Sequence, residues 1–266
     1  MCGIAGYSLT PSSRIDRRLA AQALFAAIAE RGADAVGYAH RSSGGEIEVH
    51  KQRSGASAIL DRVEIPATAT EVLVHVRDYT KGHPRIAANN HPIRHGPVVG
   101  VHNGIIFNDD DLLENHDCAR MEPGMTVDSE AIFALAAHSD ADPASFERLR
   151  GSMATAWLDE RHPNTVFLAR GVGRPLWVGS RRGAAFFAST ERALEIVEHC
   201  LGLRLKKREL DEGTLVALDR GRLATQDRFR PDRRFEEQPL PAVRAPDEGA
   251  SCLSRLAVLA AIPFVP

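Results

Sequence analysis

Lysine is scarce: Lys51, Lys81, Lys206 and Lys207 are the only lysines among 33 basic residues. Against 35 acidic residues the net charge is −2. No basic excess is left for a general nucleic-acid surface or a polybasic membrane surface. Cysteine is sparse too. Cys2, Cys118, Cys200 and Cys252 make no CxxC pair and no zinc-ligand spacing, which points to reduced thiols and a cytoplasmic setting. Residues 1–9 lack the basic start of a signal peptide. The apolar run Ala257 to Val265 is far shorter than the ~20 residues of a membrane span. With 266 residues and 44% hydrophobic content, the chain can bury a sizeable core.

Hydrophobic spacing predicts a strand at residues 1–9 and a helix over Arg17 to Glu30, with apolar residues at 19, 20, 23, 24, 27 and 28. A hairpin follows over Val36 to Arg41 and Glu46 to Lys51, then a strand over Glu71 to Val76. Residues 77–96 are rich in Gly, Pro and Asn, a long loop of the kind that carries function. Pro97 to Val101 reads as a strand that runs into His102-Asn103-Gly104, and Asn-Gly read locally is a hairpin turn. Helices are expected at Asp109 to Glu114, capped by Asn108, and at Asp128 to Ala137, capped by Thr126 or Asp128. Short strands at roughly ten-residue spacing follow, with a helix over Glu191 to His199 and two strands around Arg220-Gly221. Antiparallel-looking runs broken by a few helices argue for α+β. Residues 1–235 read as one domain and 236–266 as a Pro-rich linker with an apolar tail.

Cysteine at position 2 carries the first chemical signal. Once Met1 is removed, Cys2 holds a thiol and a free α-amine on one residue. Such an amine titrates at ~7.7–8.0, so it can take a proton at neutral pH without a histidine.

Cys2 also opens a series of motifs. Cys2-Gly3-Ile4-Ala5-Gly6 is followed by Arg31-Gly32-Ala33-Asp34, His75-Val76-Arg77 with Thr80 and Gly82, Asn89-Asn90-His91-Pro92, His102-Asn103-Gly104-Ile105 and Thr126-Val127-Asp128-Ser129-Glu130. In this order they resemble the class II, N-terminal-nucleophile glutamine amidotransferases. Phe187-Ala188-Ser189 and Glu209-Leu210-Asp211-Glu212-Gly213 extend the resemblance, to the glutaminase domain of glucosamine-6-phosphate synthase, so that it covers roughly residues 1–225. The resemblance implies a four-layer αββα fold, two stacked, mainly antiparallel sheets flanked by helices. It implies hydrolysis of L-glutamine to L-glutamate and ammonia through a Cys2 thioester, with no cofactor and no metal.

By resemblance the Asn103 amide and the Gly104 N–H hold the oxyanion. Arg77 takes the α-carboxylate, Asp128 the α-ammonium, and Thr80 adds a hydroxyl. Arg31, Gly32 and Asp34 brace the loop around Cys2, and His91 supports the site. Asp78, Tyr79 and Lys81 depart from the synthase pattern, which puts the ammonia acceptor in doubt. No synthase motif such as a phosphate loop follows the matched region, so a separate synthase or transferase subunit is the expected partner. His91, His95 and His102 lack a carboxylate or Cys partner at helical spacing, and Asp109 to Asp111 reads as a helix N-terminal acidic cluster. Two other readings stand beside the main one: an amidohydrolase for another γ-glutamyl amide, and a glutamine-sensing module without turnover.

Overall fold

The computed structural model describes residues 1–42, 44–234 and 241–261. Among the described residues thirteen strands pair in antiparallel fashion into two sheets, with one isolated parallel bridge between Ser152 and Val172. The first contains β1 (Gly3–Leu9), β2 (Ala35–Arg41), β3 (Ile47–Gln52), β4 (Glu71–Arg77), β9 (Trp177–Arg181), β10 (Ala184–Ala188) and β11 (Lys206–Glu209). Its order is β11-β9-β10-β1-β4-β2-β3. The second contains β5 (Ile93–His95), β6 (Val98–Ile106), β7 (Gly151–Asp159), β8 (Thr165–Arg170), β12 (Thr214–Asp219) and β13 (Arg222–Arg228), in the order β13-β12-β8-β7-β6-β5.

Side chains alternate between two apolar layers. Along β1, Ile4 joins Leu73, Val99, Leu158 and Phe187 between the sheets. Ala5, Tyr7 and Leu9 face the other way, toward helices α1 (Arg17–Ile28) and α4 (Glu191–Leu201). Both faces of β1 are therefore buried, which is why its sequence reads as near-continuously apolar. The outer face of the second sheet packs on α2 (Asp109–Asn115) and α3 (Glu130–Ser139) through Phe133, Leu135 and Trp157. The result is the αββα layering expected. Among the described residues no helix is long and apolar enough to cross a membrane.

Several local expectations change. The helix from Arg17 is capped by Asp16, whose Oδ1 accepts from Leu19 N at 2.9 Å, and it gives way to a tight turn at Ala29–Arg31. Asn103-Gly104 is no hairpin turn. It lies inside β6, opposite Ala154 and Met153 of β7. The Asn108 side chain does not cap α2; it spans to Arg148 O and Arg150 N. The residue at the start of α3 is Ser129, and the Asp128 carboxylate turns instead to Ile106 N, 2.7 Å away. Within the expected linker and tail, Pro246–Leu259 form α5, which packs Cys252 and Leu256 into the α1 layer. Residues 236–240 and 262–266 of that segment, and residue 235 before it, lie outside the described residues.

Candidate active site

The central position of β1, between β10 and β4, brings the chain start to the end of β4. Register places Gly3 opposite Val76, so Cys2 lies beside the residues that follow β4. Cys2 Sγ donates to Asp78 O at 3.3 Å, and the Met1 ammonium pairs with the Asp78 carboxylate. Burial raises the Cys2 thiol above its ordinary pKa, although the bond to Asp78 and the Arg77 charge pull it down. A thiol held protonated in this way needs a base to become a nucleophile.

Arg31 reaches back from the turn after α1, and its Nε donates to Cys2 O at 2.9 Å. Gly32 is required by contact: a Cβ there would stand 2.4 Å from the Arg77 carbonyl. Asp34 continues the brace, since its Oδ2 accepts from Tyr79 N at 2.9 Å and its N–H donates to Arg77 O at 2.9 Å.

Arg77 is 2% exposed and fully engaged at its tip. Nη1 donates to Asn89 O and to Asn90 Oδ1 (2.7 Å); Nη2 donates to Lys81 O (2.9 Å) and Gly82 O. The guanidinium thus ties down the long loop after β4. Thr80, in the same loop, is exposed. Lys81 anchors this loop to α2, with Nζ 2.7 Å from Asp109 and 3.2 Å from Asp110. Arg120 bonds to the same two aspartates, at 3.0 and 2.5 Å. Asp109 and Asp110, at the start of that acidic run, are therefore neutralised by side-chain cations.

Three imidazoles lie beneath the site. His75 stacks on His91 with centroids 4.2 Å apart. His75 Nε2 lies 3.1 Å from His102 O and so donates to it. His102 Nε2, 3.3 Å from Ser152 O, must donate there, so Nδ1 accepts from Ser129 Oγ at 2.9 Å. Burial pushes His75 and His102 down to about 3 and depresses His91 strongly. All three are neutral at physiological pH. Neither ring nitrogen of His91 has a partner among the described residues. His95 stands apart and pairs with Glu130 at 3.1 Å.

Cys2, Arg77, Thr80, His91, Gly104 and Asp128 line one cavity of about 10 Å³, room for a single water. Gly104 reaches this wall with φ +146°, and a Cβ would meet Ser152 O at 2.0 Å, so only glycine fits. Its neighbour Asn103 is 1% exposed, and Nδ2 has no hydrogen-bond partner among the described residues. Such an orphaned donor is the exception in a folded interior. Burial lifts Asp128 to about 6, against the bond from Ile106 N.

A family model described as a glutamine amidotransferase domain matches residues 81–196. This chain carries a glutamine amidotransferase domain. It is 33% identical over 211 residues to a glutamine–fructose-6-phosphate aminotransferase (isomerizing) of Salmonella typhi, covering 73% of this chain and 32% of the relative. The Gluconobacter oxydans (strain 621H) enzyme of the same name is 32% identical over 204 residues, with the same coverage. The chain therefore spans about a third of the length of these relatives. In fold, the amidotransferase domain is similar to the glutamine phosphoribosylpyrophosphate amidotransferase of B. subtilis, with TM-score 0.66 at 20% identity, over 85% of this chain and 49% of the other. A class-II glutamine aminotransferase domain protein of Silicibacter pomeroyi gives TM-score 0.53 at 17% identity, over 86% and 100%. The amidotransferase domain thus has the N-terminal-nucleophile fold that the motif series implied.

Two features of this amidotransferase domain could not be read from the sequence in full. Asn89 and Asn90 serve as acceptors for Arg77, and Asn89 Oδ1 also accepts from Thr126 N and Val127 N at 2.7 and 3.1 Å. The N-x-H-P spacing marked these asparagines without showing what they hold. Arg244, ahead of α5, has its Nε 3.2 Å from Asp78 Oδ2, a contact across 166 residues that no local pattern encodes.

Proposed function

We propose that this chain hydrolyses L-glutamine to L-glutamate and ammonia through a γ-glutamyl thioester on Cys2, and that the ammonia passes to a separate acceptor subunit. The observation that carries the reading is the orphaned Asn103 amide beside Gly104, whose backbone faces the cavity that Cys2 also lines. Two donors at that place suit the oxyanion of a tetrahedral intermediate.

After removal of Met1 the Cys2 amine takes the thiol proton and the sulfur attacks the side-chain carbonyl of glutamine. The carbonyl oxygen becomes the oxyanion held by Asn103 Nδ2 and Gly104 N–H. Collapse expels ammonia, which takes its proton from the same amine. Water then attacks the thioester and releases glutamate. Asp128 supplies a buried carboxylate for the α-ammonium, and its raised pKa falls when that cation binds. Arg77 supplies charge for the α-carboxylate.

The observed cavity is far smaller than glutamine. That cavity is seen with Met1 still in place against Asp78; loss of Met1 vacates this position, and an outward shift of the loop from Asp78 to Asn90 frees the Arg77 Nη groups from the carbonyls they now hold. The Cys2-to-Asp78 and Lys81-to-Asp109 contacts are those that break.

Glutamate and ammonia production by the Met1-free chain tests the reading. Cys2→Ala is expected to abolish turnover while glutamine still binds, and protein retaining Met1, identified by intact mass, is expected to be inactive. Full turnover by Cys2→Ala would end the proposal.

A further inference from the structure

A second chemical cluster lies away from the amidotransferase cavity, on the hairpin that ends the first sheet. β2 and β3 pair in a register that sets Tyr38 opposite His50 and His40 opposite Glu48. Glu48 and His50 are two residues apart on one strand, so both project from the same face, and the cross-strand partner of Glu48 is His40. The nitrogen and oxygen atoms of His40, Glu48 and His50 that could act as ligands lie within 4.8 Å of one another. His40 Nε2 and Glu48 Oε2 are 3.8 Å apart, too long for a hydrogen bond. Two ligands of one tetrahedral zinc ion, each at ~2.0–2.2 Å from it, stand about 3.4 Å apart. The gap therefore suits an ion between them better than direct contact.

We infer that His40, Glu48 and His50 form a binding site for a divalent transition-metal cation of the zinc type, with water in the fourth position. Two imidazoles and one carboxylate are a donor set that such ions favour over magnesium or calcium. Tyr38 stacks on His50 at 4.5 Å and fixes the plane of its ring. His40 is buried, so its ring is held in place on the inner side of the cluster. Glu48 and His50 are exposed, which leaves an open approach from solvent and freedom to close the last ångström. Among the described residues Glu48 has no lysine or arginine partner. The other candidate cluster, Asp140, Asp159 and His162, differs on this point. There Arg161 Nη2 lies 2.5 Å from Asp159 and 3.5 Å from Asp140, and His162 is bonded to Asp140 at 2.7 Å. Its charge is already met from within the chain. At the hairpin, an ion would clip the edge strand β3 to β2, a structural role that leaves the cavity at Cys2 untouched.

The test uses the full chain with Cys2→Ser, so that the thiol at the amidotransferase cavity does not compete. Zinc is measured by equilibrium dialysis with elemental analysis, and cobalt(II) by its visible absorption. One equivalent per chain with micromolar or tighter affinity is expected. His50→Ala and Glu48→Gln, both at exposed positions and checked for unchanged melting temperature without metal, should each weaken binding at least tenfold. Asp140→Asn should leave it unchanged. Absence of a stoichiometric ion, wild-type affinity in either hairpin variant, or loss of binding in Asp140→Asn would overturn the assignment.

Discussion

The guanidinium of Arg244 stands 3.2 Å from the Asp78 carboxylate, and that carboxylate also receives the Met1 ammonium. The segment before α5 reaches this point because Arg244 N and Ala245 N both donate to Glu30 O, at 2.8 and 2.9 Å. Glu248, in the first turn of α5, adds bonds to Ser57 N and Oγ at 3.0 and 2.9 Å. The segment around α5 is thus fastened to the turn after α1 and to Ser57, and it touches the loop at the candidate site.

Both members of the Arg244–Asp78 pair are partly exposed, so solvent screens it. Arg244→Ala is expected to lower stability by less than about 1 kcal/mol and to loosen the loop. Its signature should be a changed KM for glutamine with little change in kcat. Raising salt should shrink the difference between variant and wild type, which a KM series over ionic strength would show.

Asn103→Ala removes the orphaned amide. A loss of ~10²–10³ in kcat with nearly constant KM is expected if the amide acts only on the oxyanion. Steady-state kinetics decide this. A near-normal rate would exclude Asn103 from the chemistry.

Asp128 carries two pH effects of opposite sense. Its folded-state pKa is about 6 against an ordinary 3.8, so between those values the folded chain binds the extra proton. Stability therefore falls as pH rises through this window. Relative to Asp128→Asn, wild type should lose about 3 kcal/mol between about pH 4 and pH 7, measurable by denaturant titration. Glutamine binding runs the other way, because the ionised carboxylate is the form that pairs with an ammonium. KM should rise below about pH 6, and Asp128→Asn should show a high KM at every pH.

Arg77 holds four acceptors in a buried place. Arg77→Ala leaves them unmet and should cost about 2–5 kcal/mol in stability or in glutamine binding. Arg77→Lys keeps the charge but not the fork. A lysine variant with restored stability and a raised KM would show that the fork meets substrate; an unchanged KM in both variants would confine Arg77 to the loop.

Much of the fold was legible because its elements announce themselves locally. The apolar spacing from Leu19 to Ile28 is helical, and the strands from Ala154 to Ala188 recur between turn residues. The motif residues Cys2, Arg77, Gly104 and Asp128 were legible as types, and the fold brings them to one cavity wall. Asn103-Gly104 misled because Asn-Gly favours turns when its neighbours are ignored. Pairing with Ala154 and Met153 overrides that preference, and Gly104 takes a positive φ inside the strand. Helix α5 was masked by Pro246, Gly249 and two serines, which break the usual pattern. Its stability comes from Cys252 and Leu256 in the α1 layer and not from propensity. The His75–His91 stack and the Arg244–Asp78 pair depend on distant segments meeting, which no window of sequence contains.

β1 has one neighbour nearer in sequence, β4, and one far along the chain, β10, where Ala188 pairs with Ala5. During synthesis β1, which follows directly on Cys2, has one flank vacant until β10 has left the ribosome. Sheet closure of this long range is slow relative to local helix formation. A nascent chain therefore holds Cys2 next to a strand with one side unpaired until residue 188 has been made.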